Sequence, residues 1–154
     1  MSTAIDIIRD GVSEIQVSGV PYFDFGKWHE ASEHLLQKNL TAITQGQKFP
    51  LVFLLLDIQE TKDVNNFKSN ANIDLFIINK TELNYTPTQR DNLTFPIIRE
   101  ISDNLIKELQ RKTDFDNYSY KEMFYDVTKK NQLESIIDVI QIGISDMNYY
   151  YKNC

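Results

Sequence analysis

The sequence has few of the features that mark disulfide-bonded, phosphate-binding or membrane-spanning proteins. Its 154 residues include one cysteine, Cys154, so no disulfide can form within the chain and the fold does not depend on an oxidising compartment. Only five glycines are present, and none belongs to a glycine-rich phosphate loop. The longest apolar run, residues 51–56, is far shorter than the roughly 20 residues that a membrane-spanning helix requires.

Positive charge is also scarce. The formal net charge is −6 and the isoelectric point is about 4.9. Basic residues occur as isolated pairs, Arg111-Lys112 and Lys129-Lys130, which are typical of a solvated surface. Because an acidic surface repels a phosphate backbone, we expect no specific nucleic-acid partner.

The remaining composition is typical of one globular domain. Hydrophobic residues make up 42% of the chain and charged residues 25%, so residues 1–154 can bury a core without metals or disulfides. The first ten residues are amphipathic, contain Asp6 and Asp10, and lack the basic start of a signal peptide. We therefore expect no membrane association, with the protein staying on the side of the membrane where it is made.

Three segments have the apolar spacing of a helix. The first follows Thr3 and Asp6, which fit a capping box, and a second is predicted from near Lys27 to before residue 46. The third is predicted to begin at residue 91 or 95, with Pro96 in its first turn. Their apolar positions are Ile5, Ile8, Val12 and Ile15; Trp28, Ala31, Leu35 and Leu36; and Ile97, Ile98, Ile101, Leu105, Ile106 and Leu109.

Strands are predicted where apolar and β-branched residues are dense. Residues 51–58 and 73–78 read as two core strands of an antiparallel hairpin, joined by a polar, mobile connection at residues 60–70. Residues 118–127 and 132–147 are expected to form two further strands. Asp138 interrupts the last strand and is expected to mark a bulge or an edge.

The order of these elements predicts the fold class. Because helices and strands are segregated more than alternated, we predict an α+β fold, an antiparallel β-sheet with helices packed on one face.

The residues that could carry chemistry do not form a convincing catalytic or metal site. His29 and His34 lie five positions apart, about 140° around a helix, so both cannot reach one metal ion. Asp57, Glu60 and Lys62 faintly resemble the acidic strand end of a metal-dependent nuclease, which would need a further upstream carboxylate. We expect no enzyme activity, no cofactor and no metal, with a nuclease as the less favoured alternative.

An interaction surface is the more promising hypothesis. A polar hairpin tip can become ordered against a partner, and tyrosine is enriched in protein interfaces. The three terminal tyrosines fit either an interface or an ordered tail. The candidate interface residues are Glu60, Lys62, Asn65, Asn66, Phe67, Tyr149, Tyr150 and Tyr151.

Five segments together resemble one known protein family. They are residues 49–55 and 73–78 as core strands, Thr88-Gln89-Arg90, Pro96-Ile97-Ile98 at the start of the long helix, and the closing residues 136–142. In this pattern, over about residues 22–148, the chain resembles the tail terminator, or tail-completion, proteins of tailed bacteriophages, which include tail-to-head joining proteins.

The resemblance implies a small α+β subunit that forms a homohexameric ring in the virion, assembled in the host cytoplasm. Such a ring would cap the tail tube protein at the tail–neck junction and present a surface to the head–tail connector and neck proteins. The family has no catalytic residues to carry over. Another phage neck or connector adaptor, or an assembly protein, remains an alternative.

Overall fold

A computed structural model describes residues 3–15, 21–26, 50–55, 59–81, 86–129 and 132–150. The protein has an α+β fold in which a six-stranded sheet packs against two helices. A helical turn, Pro87–Gln89, and a π-helix, Arg90–Thr94, lead into the second helix. In chain order the elements are α1 Ala4–Glu14, β1 Tyr22–Gly26, β2 Leu51–Leu55, β3 Gln59–Asp63, β4 Lys68–Thr81, α2 Phe95–Lys112, β5 Tyr118–Lys129 and β6 Gln132–Tyr150.

The sheet is antiparallel except at one edge. The strand order is β1-β2-β4-β6-β5, and β3 pairs with β4 at the end that β2 does not cover. The predicted α+β class is confirmed. The sheet is mixed, however, because β1 runs parallel to β2, with Phe23 beside Val52 and Phe25 beside Leu54. The sequence argument assigned no strand to this short aromatic segment.

Within the described ranges, α1 and α2 lie on the same face of the sheet and close the main core. The predicted capping box of α1 is present, with Asp6 N donating to Thr3 Oγ1 at 3.2 Å and Thr3 N donating to Asp6 Oδ2 at 3.3 Å. The apolar stripe of α2 faces the sheet, as its spacing predicts, except at Ile97, which is exposed. The buried residues of this layer include Ile8, Val12, Val52, Leu54, Leu75, Ile77, Ile98, Ile101, Leu105, Leu109, Ile140 and Ile142.

The predicted mobile connection at residues 60–70 is wrong, because this stretch is a β-hairpin. Strand β3, the turn at 64–67 and the start of β4 are paired in register from Gln59 with Asn72 to Asp63 with Lys68. In the turn, the Asp63 carboxylate accepts hydrogen bonds from Asn65 N at 3.1 Å and Asn66 Nδ2 at 2.7 Å. Backbone pairing therefore orders a segment whose polarity suggested a loop. We call β3, this turn and residues 68–72 the hairpin arm.

Asp138 marks neither a bulge nor an edge, contrary to expectation. Strand β6 is paired on both sides at this position, with Asn79 of β4 and Phe124 of β5, and the Asp138 side chain is fully buried. An ion pair accounts for its burial and is described below.

Tyr149 and Tyr150 belong to β6, not to a terminal tail. Three features of the sequence interpretation lie outside the described residues: the second helix from near Lys27, including its two histidines, the carboxylate Asp57, and Tyr151.

Candidate interaction surface

The base of the hairpin arm is held by one carboxylate. Glu60 Oε1 accepts hydrogen bonds from the Tyr149 hydroxyl at 2.7 Å and from Ala4 N at 3.0 Å. Its negative charge lies at the N-terminus of α1, where the helix dipole favours an anion. Glu60 therefore joins β3 to the first helix and to the last strand.

Tyr149 is suited to this contact by its surroundings. Its side chain is buried, and burial raises the pKa of its hydroxyl to about 12, with the neighbouring Glu60 carboxylate acting in the same direction. The hydroxyl therefore stays protonated and remains a donor at neutral pH. Glu60 and Tyr149, both predicted as interface residues, are committed to contacts within the fold.

The other predicted residues of the arm differ in exposure. Lys62, Asn65 and Asn66 are exposed on the hairpin arm, whereas Phe67, at a positive φ of 56°, packs partly against the core. The arm also presents Val64, which is 71% exposed and was not singled out from the sequence.

Tyr150 lies beside the turn end of the arm, because it pairs with Lys68, which pairs with Asp63 next to the turn. Its side chain is 59% exposed, and the Lys68 Nζ atom lies 5.5 Å from its ring centroid. A cation over an aromatic ring is a favourable contact. The structure therefore brings five of the eight predicted interface residues, Glu60, Lys62, Asn65, Asn66 and Phe67, together on the arm, with Tyr149 and Tyr150 next to it.

A buried ion pair was missed by the sequence interpretation. Arg90 of the π-helix donates from Nε to Asp138 Oδ1 at 2.7 Å, and its Nη2 atom lies 2.7 Å from the same oxygen. The Thr94 hydroxyl is hydrogen-bonded to Asp138 Oδ2. The only sequence signal was a lone carboxylate within an apolar strand. Because an uncompensated buried charge is costly, this contact fixes the segment before α2 onto the central strand β6.

A second polar cluster lies where α2 meets the edge strand β5. Arg99 Nε and Nη2 donate to the two carboxylate oxygens of Glu122 at 2.7 and 2.9 Å, and Nη2 also donates to Asp91 Oδ1 at 2.5 Å. The Tyr120 hydroxyl donates to Glu122 Oε1 at 2.9 Å.

This cluster has mutually reinforcing electrostatics. The hydrogen bond from Arg99 lowers the pKa of Glu122, and the bonds to Glu122 and Asp91 raise the pKa of Arg99. Burial first, and then the hydrogen bond to Glu122, raise the pKa of Tyr120. Near neutral pH, Arg99 and Tyr120 therefore stay protonated and donate hydrogen bonds, while Glu122 stays ionised and accepts them.

A polar cleft of about 340 Å³ opens on the sheet face opposite the helices. Asn72, Asp74, Ser119 and Ser145 contribute to its lining, and Gly143 lies between Asp74 and Ser119 in the strand register. Within the described ranges, no group of three histidine, cysteine or acidic side chains is arranged to hold a metal ion.

The nuclease alternative gains no support from the part of the chain that the structure describes. Glu60 is occupied by its hydrogen bonds to Tyr149 and Ala4, and Asp57 lies outside the described residues. None of the helices in the described ranges has the length and apolar character that crossing a membrane requires.

Comparisons with known proteins add no assignment. No protein-family model matches the chain, and no curated protein matches it in sequence. The contacts described above are therefore the observations on which a functional proposal rests.

Proposed function

We propose that this protein is a structural subunit of a tailed bacteriophage that caps the tail tube as a ring and joins the tail to the head. The observation that carries the proposal is the hairpin arm. It is held at its base by Glu60 and presents the exposed apolar side chain of Val64 at its tip. An ordered arm with an exposed apolar tip is suited to contact a partner protein. The segments that resemble tail terminator proteins support the same role.

The charge and the expected symmetry fit this role. A formal net charge of −6 disfavours DNA binding, so a ring of such subunits would let a genome pass without adhering to it. Identical subunits that bind head to tail either close into a ring or extend as a filament, so a cap on a tube requires closure. No catalytic step or cofactor is part of the proposal.

The test is a phage from which the gene has been deleted. We expect heads without attached tails, together with tails of abnormal length or abnormal ends, in electron micrographs. Normal tails joined to heads would refute the proposal. Tails of normal length and ending that remain unjoined would instead favour the alternative role of a neck adaptor.

Complementation of that deletion tests the hairpin arm itself. Val64→Asp should fold like the parent, since the side chain is exposed, but should fail to restore joined particles. Leu93→Asp is the matched control, because Leu93 is a 55% exposed apolar residue remote from the arm in sequence, and it should complement. Equal complementation by both variants would remove the arm from the proposed role.

A further inference from the structure

Among the described residues, the contacts of the two helices with the sheet lie mainly on four strands. Helix α1 contacts β1 and β2, and α2 contacts β4 and β6 and reaches β5 through the Arg99–Glu122 ion pair. On the edge strand β5, Tyr118 and Tyr120 lie beside Ile144 and Ile142, whose side chains belong to the core beneath the helices. The two tyrosines therefore point to the helix side of the sheet, yet they remain 43% and 42% exposed.

The exposed surface around these two tyrosines is preorganised. We call Tyr118, Tyr120, Glu122 and the nearby Asp103 the β5 strip. Tyr120 is hydrogen-bonded to Glu122, and Arg99 holds Glu122 through two hydrogen bonds. The ring of Tyr118 packs edge-on against Phe115, with centroids 6.4 Å apart. Fixed aromatic side chains lose little conformational entropy on binding, so this strip is suited to an interface.

A complementary surface lies at the opposite edge of the same sheet face. On β1, Phe23 and Phe25 pair with Val52 and Leu54, both core residues of the helix side. Phe25 is 38% exposed. The Arg9 guanidinium carbon lies 5.7 Å and 5.6 Å from the two ring centroids. We call Arg9, Phe23 and Phe25 the β1 strip.

The positions of the two strips suit a head-to-tail contact. Strands β1 and β5 end the strand order, and both strips lie on the helix side. A rotation about an axis along the strands places the β5 edge of one copy against the β1 edge of the next without turning the sheet over. The strips then meet, whereas a two-fold contact through β5 would place the β5 strip against its own copy and leave the β1 strip outside the contact.

The chemistry of the strips is complementary as well. The β1 strip presents a cation on aromatic rings, with Asp6 Oδ1 3.4 Å from Arg9 Nη1. The β5 strip presents tyrosine rings beside the carboxylates of Asp103 and Glu122, of which Glu122 is paired with Arg99. We infer that the β1 strip of one copy of this chain docks on the β5 strip of a second copy, head to tail. This inference rests on the proposed function, because it supplies the subunit contact of the proposed ring.

Directed disulfide formation tests the contact. In a Cys154→Ser background, the pair Phe25→Cys and Tyr118→Cys should give a ladder of covalent oligomers under mild oxidation. An intramolecular bridge is excluded, because four strand spacings separate β1 from β5, about 19 Å, and a disulfide needs Cα atoms within about 7 Å. Each single variant should give at most a dimer.

The pair Leu93→Cys and Tyr118→Cys is the matched control, since it keeps one cysteine in place and moves the other to an exposed apolar position outside the β1 strip. It should form no ladder. If the Phe25–Tyr118 pair gives no more oligomer than this control, with both variants folded, the docking contact is refuted.

Charge exchange provides an independent measurement. Arg9→Glu and Asp103→Arg should each weaken self-association by at least about tenfold in sedimentation experiments, because each places like charges together. The double variant should recover most of that loss. A double variant no stronger than the singles would overturn the pairing.

These results are separable from the phage test. A ladder together with a normal deletion phage would retain the self-association and remove the tail role. Defective tails without a ladder would retain the tail role and remove this contact.

Discussion

The Tyr149 hydroxyl donates to the Glu60 carboxylate at 2.7 Å, between residues separated by 89 positions in the chain. The same carboxylate oxygen accepts a hydrogen bond from Ala4 N. One acidic side chain therefore links the hairpin arm, the first helix and the last strand. If the arm contacts a partner, its direction depends on this link and on the pairing of residues 68–71 with β6.

Tyr149→Phe should lower the free energy of unfolding by about 1.5–3 kcal/mol, because it removes a hydrogen bond to a charged group. The effect should depend on pH. Since the pKa of Tyr149 is raised from 10.0 to about 12, the stabilisation is present below pH 10 and is lost as the pH rises toward 12. Urea unfolding should be measured between about pH 8 and about pH 12, which lie about two units below and above the ordinary tyrosine pKa. The difference in free energy of unfolding between the parent and the variant should shrink as the pH rises.

Tyr150→Phe is the control for that series, since its side chain is 59% exposed on the neighbouring position of β6. It should change stability by no more than about 0.5 kcal/mol. A constant difference between the parent and Tyr149→Phe across the alkaline range would contradict the assigned role of the hydroxyl.

The core can be tested at Leu105, which lies on α2 and is fully buried. Leu105→Ala should lower the free energy of unfolding by about 2–5 kcal/mol, because it removes buried apolar surface and leaves a cavity. Ile97→Ala, on the same helix at a 38% exposed position, should cost clearly less. Equal costs for the two variants in urea unfolding would show that the core is misplaced.

Much of the fold is predictable from apolar spacing alone. The stripe of α2 and the apolar run of β2 lie in the core because burial follows a period of 3.6 residues in a helix and a short continuous run in an inner strand. The two predicted core strands and the apolar positions of the long helix include Leu51, Phe53, Leu55, Ile77, Ile98, Ile101 and Leu105. All are fully buried except Leu55, which is half-buried.

The missed features lack such a periodic signal. The hairpin arm is ordered by backbone pairing and by an Asp63 turn, and neither leaves an apolar pattern. The burial of Asp138 depends on Arg90, a partner 48 positions away, so the local sequence suggested a bulge or an edge instead. For the same reason Glu60 was assigned to an interface, although its partners are within the fold.

Gly11 and Gly143 should respond oppositely to an added methyl group. At Gly11 an added Cβ would lie 3.5 Å from Leu105 Cδ1 and 3.6 Å from Leu109 Cδ2, which is ordinary contact. Gly11→Ala should therefore stabilise the protein by up to about 1 kcal/mol through helix propensity. At Gly143 the added Cβ would lie 2.7 Å from Ser119 Oγ and 3.1 Å from Asp74 Oδ1.

Gly143→Ala should accordingly destabilise the protein by about 1–3 kcal/mol, as expected for overpacking. Thermal unfolding of the two variants checks the opposite signs. Adding Ser119→Ala to Gly143→Ala should recover part of the loss, since it removes the nearer clashing atom. No recovery would mean that the crowding arises elsewhere.

The Arg90–Asp138 ion pair should behave as one unit. Asp138→Asn leaves a nearly buried guanidinium without its counter-charge, and Arg90→Met leaves a fully buried carboxylate, so each should cost about 3–5 kcal/mol. The double variant should lose less than the sum of the two by about 1–3 kcal/mol, because it leaves no unpaired charge.

Glu14→Gln is the control. It removes an exposed partner of Arg111, with side chains 42% and 62% exposed, and should cost at most about 1 kcal/mol. Urea unfolding of all four variants measures the coupling. Strict additivity would show that the pair does not hold the π-helix Arg90–Thr94 on strand β6.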